Sequence, residues 1–162
     1  MGVYQMREKM LSIGDDFWIE NDAGDRVFKV NGKALRIRET LGFEDRDGNE
    51  LLRIQERKLR VRDTMAIERD GEAVATVRKK IVGPFRDRFK AEFADGGEYE
   101  IKGNIVDHEY EFKRDGREVA TVSKRWFRVR DSYGVEIEPG EDDVLVLAIA
   151  VAIDQMTHDE AG

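Results

Sequence analysis

The sequence predicts a mainly β fold: a closed barrel of about twelve antiparallel strands around a central, buried C-terminal α-helix. Three observations lead there. A hairpin-like unit recurs along most of the chain. A second pattern with the two-residue period of a strand lies between its copies. Near the end come ten consecutive apolar residues, Val144 to Ile153, in a chain that is 39% charged.

The hairpin unit is seen by aligning GDRVFKV from Gly24, GNELLRI from Gly48, GEAVATV from Gly71 and GREVATV from Gly116, with a weaker copy, GEYEIKG, from Gly97. Acidic turns precede most of them: DRDG at Asp45–Gly48, ERDG at Glu68–Gly71, ADGG at Ala94–Gly97 and KRDG at Lys113–Gly116. Asp-Gly between β-rich runs marks a tight hairpin, because the turn needs positive φ and glycine supplies it without a Cβ clash. Between these units lie LRIRETLGF from Leu35, LRVRDTMAI from Leu59 and FRVRDSYGV from Phe127. Their apolar residues alternate with Arg36, Arg38, Arg60, Arg62, Arg128 and Arg130, as on strands with one face in and one out. The acid and hydroxyl that follow (Glu39-Thr40, Asp63-Thr64, Asp131-Ser132) suit a bend into the next strand. FRDRFKAEF, from Phe85, is a looser relative. Six such units over residues 15–138, with a turn about every 12 residues, give about ten to twelve short strands and a sandwich or barrel.

The apolar run bears on the choice: as a buried strand it would be acceptable, with Ala148, Ala150 and Ala152 on one face, but its end signals favour a helix. Pro139-Gly140 breaks the preceding strand, and Glu141, Asp142 and Asp143 place negative charge where a helix N-terminus favours it. A helix apolar on every side must be buried on every side. About twelve strands leave an axial space wider than their own side chains fill. A helix of about 15 residues, roughly 22 Å long, matches the height of such a barrel. The chain is thus expected to be one domain, 1–162, with the helix at about 141–156 and a flexible tail at 157–162.

Composition narrows the function. The net charge of −7 argues against nucleic acid as a partner, and the absence of cysteine removes disulfides, thiolate nucleophiles and Cys-based metal sites. The apolar run is about half the ~20 residues of a membrane-spanning helix, and the first residues lack the apolar core of a signal peptide. A cytoplasmic protein is expected.

Several stretches resemble the LURP-one-related family, of the Tubby C-terminal-like superfamily that also holds phospholipid scramblases. They are YQMREKMLSIGDDFWI from Tyr4, DGNELLRI from Asp47, the GPF of Gly83–Phe85, GNIVDHEYEF from Gly103, ATVSKRWF from Ala120 and, above all, DSYGVEIEPGEDDVLVLAIAVAIDQM from Asp131. The resemblance implies a closed twelve-stranded barrel around a central C-terminal helix. It also implies a link to phosphoinositide binding in Tubby-type domains, to calcium-dependent lipid movement in scramblases and to defence in plants. The chain lacks the scramblases' Pro-rich N-terminal region and cysteine cluster, and its acidic segment Glu138–Asp143 is no D-x-[DN]-x-[DN]-G loop. Lipid scrambling is not expected.

The candidate site is basic. Arg78, Lys79 and Lys80 follow one copy of the repeat, Lys124 and Arg125 follow another, and Arg128 and Arg130 continue the second. If these strands are neighbours, their outward heads form a patch for phosphate or an anionic lipid headgroup, with Trp126 beside it. The plainer account is that the arginines pair with Asp and Glu on adjacent strands. No catalytic residue and no cofactor are assigned: the serines lack a G-x-S-x-G setting, and there is no phosphate loop. Asp107-His108-Glu109 is not taken as a metal site, because on a strand His108 points away from its neighbours. Glu138, Glu141, Asp142 and Asp143 read as a helix-start feature rather than a calcium site. The expected function is a non-enzymatic binding or scaffold barrel for an anionic lipid, a phosphate ligand or a protein partner. The alternatives are an enzyme with a site at the barrel rim and a scramblase-like peripheral membrane protein.

Overall fold

Asp-Gly turns and alternating strands build the wall of the barrel. The computed structural model describes residues 2–7, 16–32, 40–56, 64–81, 87–125 and 132–161. Among these are twelve strands: β1 (Gly2–Arg7), β2 (Phe17–Asn21), β3 (Arg26–Asn31), β4 (Thr40–Asp45), β5 (Glu50–Glu56), β6 (Thr64–Arg69), β7 (Glu72–Ile81), β8 (Asp87–Phe93), β9 (Glu98–Asn104), β10 (Glu109–Arg114), β11 (Arg117–Ser123) and β12 (Ser132–Ile137). One helix, α1 (Asp143–Ala161), follows. Each strand pairs antiparallel with its sequence neighbour, and β1 pairs with β12 to close the barrel. Closure leaves no free sheet edge.

The five hairpins from β2/β3 to β10/β11 put their tight turns at one end, the turn end. The opposite end of these strands, where the 105–108 turn joins β9 to β10, is the connection end. At Asp70-Gly71 and Asp115-Gly116 both turn residues have positive φ (53° and 83°; 49° and 80°), the mirror-image turn that suits strand twist. Four of the five hairpins carry a register shift just before the turn, leaving Val27, Leu51, Val74 and Val119 as the extra residue. These occupy one position of the repeat, the third after its glycine. The weaker copy at Gly97 pairs without a shift. A bulge sharpens local twist and frees a backbone group. The freed carbonyls of Val74 and Val119 accept bonds from Ala94 N (3.0 Å) and Glu138 N (2.9 Å).

The R-x-R segments expected to form strands, 35–38, 59–62 and 127–130, lie outside the described residues. Thr40, Thr64 and Ser132, the hydroxyl residues after each of them, lie in strands β4, β6 and β12. Strand β1 was not among the expected units, which began at residue 15. It has no turn signal of its own, yet Tyr4 and Met6 share the inward face with Val135 and Tyr133 opposite.

The apolar run is a helix, and Val146 to Ile153 are wholly buried inside the barrel. Its start is capped by Asp142, whose Oδ1 accepts the Leu145 N–H at 3.2 Å. It begins two residues later than expected and runs to Ala161, so most of the segment expected as a tail is helical. Gln155 to Ala161 contains no proline or glycine to stop it. The helix backbone lies against β5, β6, β7 and β12. The aromatic side chains Phe89, Tyr99, Tyr110 and Phe112 of β8–β10 fill the other side. No helix among the described residues is long and apolar enough to cross a membrane.

Candidate functional site

Polar chemistry concentrates in three places: the two ends of α1 and the outer face of β7–β9. At the turn end, acids leading into the helix meet the wall. Tyr4 donates to Asp143 (2.5 Å) and Tyr99 to Glu141 (2.8 Å). Arg114 donates to the Tyr99 hydroxyl (3.2 Å), reaches Glu141 (3.6 Å) and lies over the Tyr99 ring (4.9 Å). Arg69 approaches Asp142 at 3.7 Å. Burial first, and donation to a carboxylate second, hold both phenols above their ordinary range. The acids expected to mark the helix start do so, but they are fastened to aromatic and basic partners.

At the connection end one acid plays that part. Asp154 accepts from His108 Nε2 (3.0 Å) on one oxygen and from the Tyr133 hydroxyl on the other. The His108 and Tyr133 rings stack with centroids 4.2 Å apart. His108 and Asp154 side chains are each only 9% exposed. Tyr110 lies close by; burial, then the Asp154 charge, pushes its phenol well up, and its hydroxyl has no hydrogen-bond partner among the described residues. His108 does not sit on a strand, as expected, but ends the 105–108 turn with φ 54°. The backbone therefore reverses there: Asp107 turns to Asn104 (2.8 Å), Glu109 to Ser123 (3.0 Å), and His108 into the barrel. Gly103 permits this, since a Cβ there would lie 2.6 Å from the Glu109 carbonyl oxygen. Among the described residues no three His, Asp or Glu side chains are placed to hold a metal ion.

The third place is basic. Lys80 stands directly opposite Arg88, and Arg88 directly opposite Lys102. Opposed residues share a face, so three cations form one row across β7, β8 and β9 near the connection end. Among the described residues none of the three has a carboxylate partner. The next row toward the turn end is compensated: Arg78 reaches Glu92 (3.6 Å) and Lys90 reaches Glu98 (2.8 Å). Beyond Lys102 the row ends at Glu111, which is occupied by Lys113 at 3.3 Å. Like charges directly opposite destabilise a sheet by some tenths of a kcal/mol each.

The expected basic residues are distributed differently. Arg78 and Lys80 lie on the outer face of β7. Lys79 shares its inward face with Val77 and stands opposite the buried Phe89, because alternate residues of a strand face opposite ways. Lys124 and Arg125 follow β11 at the same end, but β8, β9 and β10 lie between β7 and β11. The two groups are not neighbours. Arg128, Arg130 and Trp126 lie outside the described residues. Arg88 and Lys102 were missed; the signal that finds them is strand register, counted from the turn at Ala94–Gly97.

The barrel's relatives agree with its architecture. A crystal structure of an Arabidopsis thaliana protein superposes with a TM-score of 0.73 at 13% identity, covering 96% of this chain and 91% of that one, a likeness of fold. The uncharacterized protein YxjI of Bacillus subtilis (strain 168) is 29% identical over 157 residues, 96% of this chain and 93% of its own. The model of the LURP-one-related family matches residues 3–154. That match spans nearly the whole barrel and most of the helix inside it: the chain belongs to the LURP-one-related family.

Proposed function

We propose that the chain is a non-enzymatic binding module for phosphate-bearing anions, with Lys80, Arg88 and Lys102 as its contact and Arg78, Lys124 and Arg125 flanking them at the same end of the barrel. The observation that supports this most is the row of three cations, which among the described residues has no carboxylate partner. In a chain of net charge −7, three cations placed opposite one another cost stability, and an anionic ligand repays that cost.

The arrangement nearest to acid–base chemistry, His108–Asp154–Tyr133, argues for a structural role instead. It is buried, and each carboxylate oxygen already accepts a bond. A cytoplasmic setting belongs to the same proposal, supported by the absence of cysteine.

Titration calorimetry with inositol hexakisphosphate tests it. Binding is expected to weaken as salt rises and to be lost in Lys80→Ala/Arg88→Ala/Lys102→Ala, with melting temperature unchanged or raised. Equal affinity in that variant sinks the assignment. Lys124→Ala/Arg125→Ala is expected to have the smaller effect, because β10 lies between that pair and Lys102 at the near edge of the row.

A further inference from the structure

Resting on that anion-binding reading, we infer that the ligand is the surface of an anionic lipid bilayer, met by the outer face of β7–β9 with the β9–β10 turn leading, and not a single headgroup in a pocket. Shape is the first reason. Neighbouring strands are roughly 5 Å apart, so the ends of the row are separated by about 10 Å. The outer wall of a barrel is convex, and side chains on it diverge. Sites for one small anion are concave, with convergent donors. A diverging row suits an extended sheet of charge.

Polarity along the barrel is the second reason. The three cations, which have no carboxylate partner among the described residues, stand near the connection end. Toward the turn end the same strands carry Glu92 and Glu98, each occupied by a cation, and the outer groove of about 260 Å³ by β5–β7 is lined by Glu68, Asp70 and the Glu50–Arg53 pair, a net acidic set. An anionic surface attracts the connection end of these strands more strongly than the turn end, which orients the barrel as it approaches.

The third reason is Val106. It is 63% exposed, the large hydrophobic residue that the described surface leaves in water. It tips the turn between β9 and β10, four residues beyond Lys102. The turn is held in shape: Asn104 binds Asp107 through side chain (2.8 Å) and backbone (3.1 Å), while Ile105 and His108 on either side are buried. A rigid apolar tip beside a row of cations gains contact at the boundary of headgroups and acyl chains. A soluble polyanion offers it nothing.

Co-sedimentation with vesicles of 70:30 phosphatidylcholine and phosphatidylserine, against pure phosphatidylcholine, tests this alongside inositol hexakisphosphate. The wild type is expected to bind the phosphatidylserine vesicles only. Lys80→Ala/Arg88→Ala/Lys102→Ala is expected to weaken binding on the order of a hundredfold, roughly fivefold per cation. Val106→Ser, with an unchanged melting temperature, is expected to weaken vesicle binding a few-fold and leave inositol hexakisphosphate binding as it was. Binding of inositol hexakisphosphate without binding of vesicles overturns the membrane inference and leaves the anion-binding proposal standing. Vesicle binding unchanged in either variant overturns it too, as does tighter binding of an RNA oligomer that depends on the three cations and ignores Val106. Binding of no probe removes both.

Discussion

The two ends of α1 solve one problem in opposite ways. Each must fasten a greasy helix in a β-wall. At the turn end the work is shared among Glu141, Asp142 and Asp143, held by Tyr4, Tyr99, Arg69 and Arg114 and partly in water. At the connection end a single buried carboxylate, Asp154, takes both His108 and Tyr133. Solvated pairs contribute little each and are screened by salt. A buried carboxylate with two donors is strong while intact and expensive to break. The helix should therefore tolerate damage at its start and not at its end.

The largest expected effect tests that contrast directly. Asp154→Ala removes the acceptor that the His108 N–H and the Tyr133 hydroxyl share in a buried site and should cost about 3 kcal/mol. Urea unfolding measures it; a loss under about 1 kcal/mol would erase the difference between the ends.

Tyr110 sharpens the comparison next, because the connection end also contains a buried hydroxyl that no described residue satisfies. Tyr110→Phe removes a buried hydroxyl without a hydrogen-bond partner and is expected to raise stability at neutral pH by up to about 1 kcal/mol. Its folded pKa is raised above the unfolded value of 10.0, by burial first and by Asp154 second. The native state thus holds this proton more tightly than the unfolded chain. Stability from this source is complete below pH 10 and falls as pH rises above it. Melting temperatures from pH 8 to 11.5 should drop less steeply in Tyr110→Phe. Tyr4→Phe, at the half-buried turn end, should flatten that fall less.

The smallest effect belongs to the exposed pair. Arg69→Ala should cost about 0.3 kcal/mol at low salt and nothing measurable in 1 M salt, where the screening length is about 3 Å. A loss that persists in high salt would mean that Arg69 acts by packing.

Much of the architecture could be read residue by residue. The hairpins announce themselves because a turn is decided within four residues. The bulge was equally present in the repeat, as the apolar residue at Val27, Leu51, Val74 and Val119, but two adjacent apolar residues do not by themselves say which one is extra. Strand β1 carries no punctuation and is recognisable only by what it pairs with. The candidate site was barely legible. Arg78–Lys80 and Lys124–Arg125 look equivalent in the repeat, yet three strands separate them. Lys80, Arg88 and Lys102 look unrelated, yet they are adjacent.

On its own, then, the sequence determined what short-range energetics control: positive-φ turns, the alternation of inward and outward side chains, and a segment so apolar that it had to be enclosed. Only the tertiary structure decided which charges became neighbours, where His108 met Asp154, and that β1 would close the ring. Cross-strand partners depend on a register set by the whole closed sheet, and no local pattern of residues contains it.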